Sequence, residues 1–223
     1  MRPLERAETR LVTVTRAEPA SSPATEAAPE SGFRRRLLDG MAEAVREHGY
    51  REATVADVVR HARTSRRTFY EHFRGKQDCF IALLSERNSD TIRQIYAAVD
   101  PAAPWRTQVR QAIEAWIGAS QRDTSITLAW IRDIPALGED ARRLHRETGE
   151  AFVSLIRNLT ATPEFQSADL HPPSRQTATI LYGGYRELIA STVEDGGDIT
   201  GIIDVAVDTA VALIGPRDEP ASD

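Results

Sequence analysis

The stretch TVADVVRHARTSRRTFYEHFRGK, residues 54–76, decides how this chain is read. Thr54 is placed to cap a short helix whose Val55, Val58, Val59 and Ala62 fall on one face. Asp57, three residues on, takes the capping-box position with Asp for the usual Glu. A tight turn at Arg63-Thr64 follows, and Ser65 caps a second short helix with Phe69 and Phe73 four apart on its inner face. Two short helices across a tight turn form the helix-turn-helix plan, in which the second helix enters the major groove of DNA. With the phenylalanines inward, Arg66, Arg67, Tyr70 and Glu71 face outward. Two arginines opening a helix are placed to reach guanine O6/N7 or a phosphate. The positive helix ends add to the hydroxyls of Thr54 and Ser65 and to Lys76. Tyr70 has an alternative place in the core, and His72 an alternative as a surface residue without a role.

Outward from this stretch, Phe33, Leu37, Met41, Ala44, Val45 and His48 recur at helix spacing over 33–48, and Gly49 stops the run. A long helix is expected over 78–99, opened by Asp78 and closed by Asp100-Pro101. Further helices are expected over 105–120, 125–134, 139–160, 174–193 and 199–214, with a Pro-bearing loop over 161–173. That makes an all-α chain of about nine helices. The domains expected are a disordered arm 1–31, a three-helix head 32–77, a helical ligand-binding and dimerisation domain 78–215 and a tail 216–223. The arm rests on AEPASSPATEAAPES at 17–31, which has no large apolar residue to offset chain entropy. Its arginines Arg2, Arg6, Arg10 and Arg16 either sample a minor groove or belong to a solvated tail.

Charge follows the same division. Residues 33–76 hold eleven Lys/Arg against six Asp/Glu, while residues 77–223 hold thirteen against twenty-two. A basic head on an acidic body suits one end to a polyanion. One cysteine, Cys79, gives neither an internal disulfide nor a thiolate zinc site and is expected to pack as a small hydrophobe. No apolar run is long enough for a membrane span and the N-terminal stretch lacks a secretory leader's apolar core, so a reducing cytoplasm is expected. No phosphate-binding glycine loop, HExxH or GxSxG is present, so no catalytic residue, metal or cofactor is expected.

The run TSRRTFYEHFRGKQD, 64–78, resembles the signature of tetracycline-repressor-type (TetR/AcrR) regulators, and the likeness extends over roughly 33–84. The resemblance implies that Thr54, Tyr70, His72 and Lys76 contact the DNA backbone and that Arg66, Arg67 and Thr68 sit at base edges. Glu71 falls where the family is often aromatic or polar; its carboxylate either accepts from cytosine N4 or points at solvent. The family commonly has Gly where this chain has Arg63, and a left-handed backbone there would cost Arg roughly 1–2 kcal/mol. The resemblance further implies a homodimer joined through its last two helices, an inverted-repeat operator in double-stranded DNA and a small-molecule effector.

In the body, Trp105, Trp116 and Trp130 read either as core or as walls of an aromatic pocket. Trp116, Trp130, Phe152, Tyr182 and Tyr185 are the pocket candidates, with Arg132, Asp133 and His145 as polar groups to orient a ligand. Gly183 and Gly184 inside a helix ask for a reason: close approach of another helix, or room for ligand. The final helix, IIDVAVDTAVALI, is apolar nearly all round. A ligand-responsive repressor is the leading expectation. The alternatives are a ligand-blind architectural DNA binder and an all-α enzyme with a vestigial head.

Overall fold

The computed structural model describes residues 27–216. The arginines Arg2, Arg6, Arg10 and Arg16 lie outside the described residues, as does nearly all of the expected tail. Among the described residues there are ten α-helices, two 3-10 turns and no strand.

The head is α1 (Ala27–Glu52), α2 (Val55–His61) and α3 (Arg66–His72). α1 begins inside the stretch expected to be an arm. Its regular run ends at Gly49, whose φ of 72° and ψ of 160° lie outside helical values. A residue without a side chain adopts that backbone readily, so the expected stop is present. At α2 the capping box is complete: the Asp57 amide donates to Thr54 Oγ1 at 3.3 Å and the Thr54 amide to Asp57 Oδ2 at 3.0 Å. These bonds from Thr54, hydroxyl first, hold the Asp57 carboxyl down at about 2. At α3 the Thr68 amide donates to Ser65 Oγ at 3.0 Å.

Between α2 and α3, Arg63 does take a left-handed backbone, with φ 49°, and the Thr64 amide closes the turn on Val59 O at 3.0 Å. α1 and α2 meet at Gly40, where a Cβ would lie 2.5 Å from Val58 O and 2.9 Å from Ala62 N. Only glycine lets the two backbones approach so closely. Phe69 is fully buried and Phe73 nearly so, which ties α3 to the rest of the head. Burial of a phenylalanine contributes about 1.5–3 kcal/mol over its exposed state.

The long α4 (Lys76–Ala98) starts two residues before the expected Asp78, with Gly75 as its cap. Asp78 instead accepts from the Arg74 amide at 2.9 Å. The body is α5 (Trp105–Gln121), α6 (Thr124–Arg132), α7 (Glu139–Leu159), α8 (Pro163–Ser167), α9 (Arg175–Glu194) and α10 (Ile203–Ile214). α6 starts one residue before the expected 125 and is capped by Asp123. The five-residue α8 lies in the stretch expected to be a loop. Its proline sits in the first turn, where no amide is needed, and Phe165 anchors it in the core.

One apolar cluster runs from Leu37 and Phe69 in the head through Phe80 to Ile113, Trp130, Ile189 and Val207 in the body. α1 packs on α4 and α6 as well as on its own head. Arg46 meets Asp123 and Arg51 meets Asp133, each at 2.9 Å, and Arg34 pairs with Glu86. Cys79 is buried under the head, and burial pushes its thiol up to about 12.

Two stability changes follow from the α1–α2–α3 joint. Gly40→Ala should force these backbones apart and cost about 1–3 kcal/mol, read as a lower denaturant midpoint. Arg63→Gly should relieve the left-handed backbone, partly offset by glycine's unfolded-state entropy, and raise stability by about 1 kcal/mol or less. An unchanged or lower midpoint for Arg63→Gly would mean that the turn is unstrained.

Candidate functional site

Fixed by Ser65 at its start and by Phe69 and Phe73 beneath, α3 presents its remaining side chains to solvent. The Arg67 side chain is 90 % exposed, and its Nε donates to Glu71 Oε1 at 3.1 Å. An exposed pair of this kind contributes little to stability, so it opens readily to a stronger partner. Arg66 and Arg63 are exposed and have no ion pair among the described residues. Arg60 on α2, by contrast, is held by Glu47 and Asp57, and Glu47 also meets His61. Of the charges on α2, α3 and their turn, the free positive ones therefore lie at and beside α3.

Tyr70 is 59 % exposed, standing edge-on to Phe69, so the core alternative for it is excluded. Glu71 is exposed and shares the weak surface pair with Arg67. His72 is half-buried beside Phe73, and Thr68 is half-buried with its hydroxyl 3.0 Å from Ser65 Oγ. The Thr54 hydroxyl, expected at the DNA backbone, lies 2.6 Å from Asp57 Oδ2. Lys76 is the largest departure from expectation. Its ammonium donates to Tyr50 O at 2.9 Å and Arg51 O at 3.0 Å, above the Tyr50 ring. Tyr50 in turn stacks on Phe80. Lys76 thus joins the end of α1 to the start of α4, with one N–H left over.

The body holds a cavity bounded by α4, α5, α6, α7 and α9. Trp116, Trp130, Phe152 and Tyr182 line it together with Arg186, in about 810 Å3 of space counting its open mouth. Trp116 lies against Phe152 at 4.8 Å and stacks on Tyr182 at 5.8 Å, so these rings form one aromatic wall. Trp116 also borders a second, apolar slot with Ile95, Ile113, Leu155 and Tyr185. Tyr185 therefore belongs to the slot and not to the first cavity. Its hydroxyl donates to Ala206 O at 2.8 Å, tying α9 to α10, and burial pushes the phenol up. Trp105 packs on Phe165, apart from both.

The polar candidates fare differently. Arg132 lies on the surface, its guanidinium held by Glu187 and Glu194 through four bonds of 2.8–2.9 Å. Asp133 is taken by Arg51. His145 sits beside Trp130 with its Nδ1 buried and unbonded. The cation that lines the cavity is Arg186, which sequence reasoning missed. The available signal was its spacing: Arg186 is one helical turn after Tyr182 and shares that face.

Gly183 and Gly184 line neither cavity, and a Cβ at either meets nothing within 4 Å. The ligand-room explanation is thereby removed. They lie on an exposed stripe of α9 that includes Ile180, and α10 likewise exposes Val205 and Leu213.

Comparison with known proteins agrees with this architecture. Residues 37–83 match the family model of bacterial regulatory proteins, tetR family. No curated protein matches the sequence. The fatty acid degradation regulator FadR of Bacillus halodurans is similar in structure, with TM-score 0.69 and 16 % identity over 82 % of this chain and 99 % of that one. FadR of Bacillus subtilis, in complex with stearoyl-CoA, gives 0.68 and 16 % over 82 % and 99 %. The reduced form of E. coli NemR gives 0.65 and 16 % over 85 % and 100 %. The head of this chain therefore matches the tetR family of bacterial regulatory proteins over residues 37–83, and the chain as a whole shares the all-helical fold of these solved structures.

Proposed function

We propose that the protein is a homodimeric transcriptional repressor that binds an inverted-repeat operator in double-stranded DNA and is released by a small molecule held in the body. The observation that carries this reading is the surface of α3. Arg66 is unpaired among the described residues, Arg67 is held only by an exposed neighbour, and both stand on a helix whose inner face is locked. Two heads would enter successive major grooves about 34–36 Å apart. The reading assigns the chain no catalytic role and a cytoplasmic setting. No helix among the described residues is long and apolar enough to cross a membrane. The aromatic cavity supports ligand response, as does the stearoyl-CoA complex of the similar B. subtilis regulator. A ligand preferring one splay of the heads would lower DNA affinity by its differential affinity for the two states and by no more.

Arg67→Ala should lower affinity for the specific site by about 1–3 kcal/mol and leave nonspecific binding nearly intact. Equal losses on all sequences would make Arg67 a phosphate contact. Lys76→Ala, measured beside it, separates the two places open to that lysine. A phosphate contact lowers the salt slope by about one unit, whereas the observed carbonyl contacts predict a lower melting temperature at little-changed slope.

For assembly, the exposed stripes of α9 and α10 are the surfaces we assign to the partner copy. Because nothing in the single chain fills the space at residue 184, Gly184→Leu should leave the monomer folded and well stabilised. In the dimer the same side chain would overpack the contact. Sedimentation at micromolar concentration should therefore find a folded monomer in the variant and a dimer in the wild type. A dimer of undiminished affinity in Gly184→Leu would move the interface elsewhere.

A further inference from the structure

Arg186 stands in an unusual position. Its guanidinium lies 5.4 Å from the Tyr182 ring centre and 5.8 Å from that of Trp130, at the wall of the cavity. Among the described residues it makes no hydrogen bond and no ion pair, and its Nε is buried without a partner. The adjacent acid, Glu187, is held with Glu194 by Arg132 on the outer surface. Burial pushes the Arg186 guanidinium down from its ordinary value, yet an arginine does not lose its proton in a protein. A desolvated cation with unused N–H donors is costly unless an anion meets it.

Two further arginines stand on the lining. Arg87 and Arg122 border the cavity, Arg87 with no acid partner among the described residues and Arg122 bonded to the neutral Gln94. The two acids on the lining are engaged elsewhere, Asp90 by Arg93 and Asp123 by Arg46. An aromatic cage for a ligand cation is therefore a poor description, because Arg186 already occupies the faces such a cation would use. The planar guanidinium fork matches a carboxylate through two parallel bonds. Beside it, the Trp116 wall and the apolar slot beyond offer surface to a hydrocarbon body.

Resting on the reading of the body as a ligand domain, we propose that the cavity takes a small organic carboxylate with an apolar body, and that Arg186 is its counter-ion. The body of that ligand is either flat and laid on the Trp116 wall or a chain running into the slot.

The test is direct binding to the full-length protein without DNA, by calorimetry and tryptophan emission. The probes are 2-naphthoate and octanoate, each against its own amide, which has a similar shape and no charge. Wild type should bind at least one acid about ten-fold or more tighter than its amide, in line with a charge-assisted pair. The acid preferred identifies the body, naphthoate for the wall and octanoate for the slot, and either supports the proposal. In Arg186→Gln the acid-over-amide ratio should fall to about two or less, while Arg132→Gln should keep the wild-type ratio. Arg186→Met, which retains the apolar stem against Trp130, gives the same reading if the glutamine variant does not fold. The proposal is overturned if wild type binds acid and amide equally, if it binds neither acid at millimolar concentration, or if the ratio survives in a folded Arg186 variant. DNA release is scored separately. Charge-selective binding that leaves DNA bound would remove the ligand-responsive reading and keep Arg186 as the anion site. Release of DNA with no preference for charge would do the reverse.

Discussion

The structure depends on one shared helix. α1 buries Leu37, Leu38, Met41, Ala44 and Val45, and the cluster they enter is continuous with the body's core. α1 supports α2 and α3 on one side and rests on α4 and α6 on the other. The ion pairs Arg46–Asp123 and Arg51–Asp133 lie along that second contact. Partly exposed pairs of this kind add little to stability, but they fix register. The body and the exposed face of α3 are therefore oriented by the same helix. α6, on which α1 rests, also packs against α9.

The head was legible in the sequence because its decisions are local. Thr54 and Ser65 cap helices whose amides they reach within three residues. Phe69 and Phe73 identify the inner face by spacing alone, and Gly49 supplies a backbone that other residues avoid. Even the strain at Arg63 could be posed in advance, since a turn of that length leaves few backbone choices. The body was legible only as helices. Its polar chemistry was not, because charge pairing there is set by folding. Arg132 looked like the cavity's cation until the fold brought Glu187 and Glu194, 55 and 62 residues away, to either side of it. Arg186 was passed over because nothing near it in sequence tells that its neighbouring acid is occupied. α8 was missed for a different reason: five residues carry no helical period, and its proline read as a break.

The charge distribution gains meaning from the same pairing. The sequence places an excess of arginine and lysine in the head as a whole. Folding then neutralises part of it, since Glu47 and Asp57 hold Arg60 and His61 on α2. What remains without an ion pair among the described arginines of the head lies at Arg36, Arg63 and Arg66, the last two beside and within α3. The potential felt by an approaching polyanion is thus narrower than composition implies and is aimed by α3. On the body several acids are taken up by arginines of the head or of other helices, among them Asp123 by Arg46, Asp133 by Arg51, and Glu187 and Glu194 by Arg132, while Arg186 in the cavity is left without an acid among the described residues.

The contact at Gly40 bears on how information could move through such a molecule. There the backbone of α1 meets the backbone of α2 with no side chain between them. Side chains can absorb a displacement by changing rotamer; a backbone pressed on a backbone cannot. α2 is keyed to α1, and α3 follows through the buried Phe69. A displacement of α1 would therefore carry the head as one piece rather than reshape it. On the function proposed above, which sequence is recognised and whether it is occupied would then be written in separate parts of the chain, and each could drift without corrupting the other.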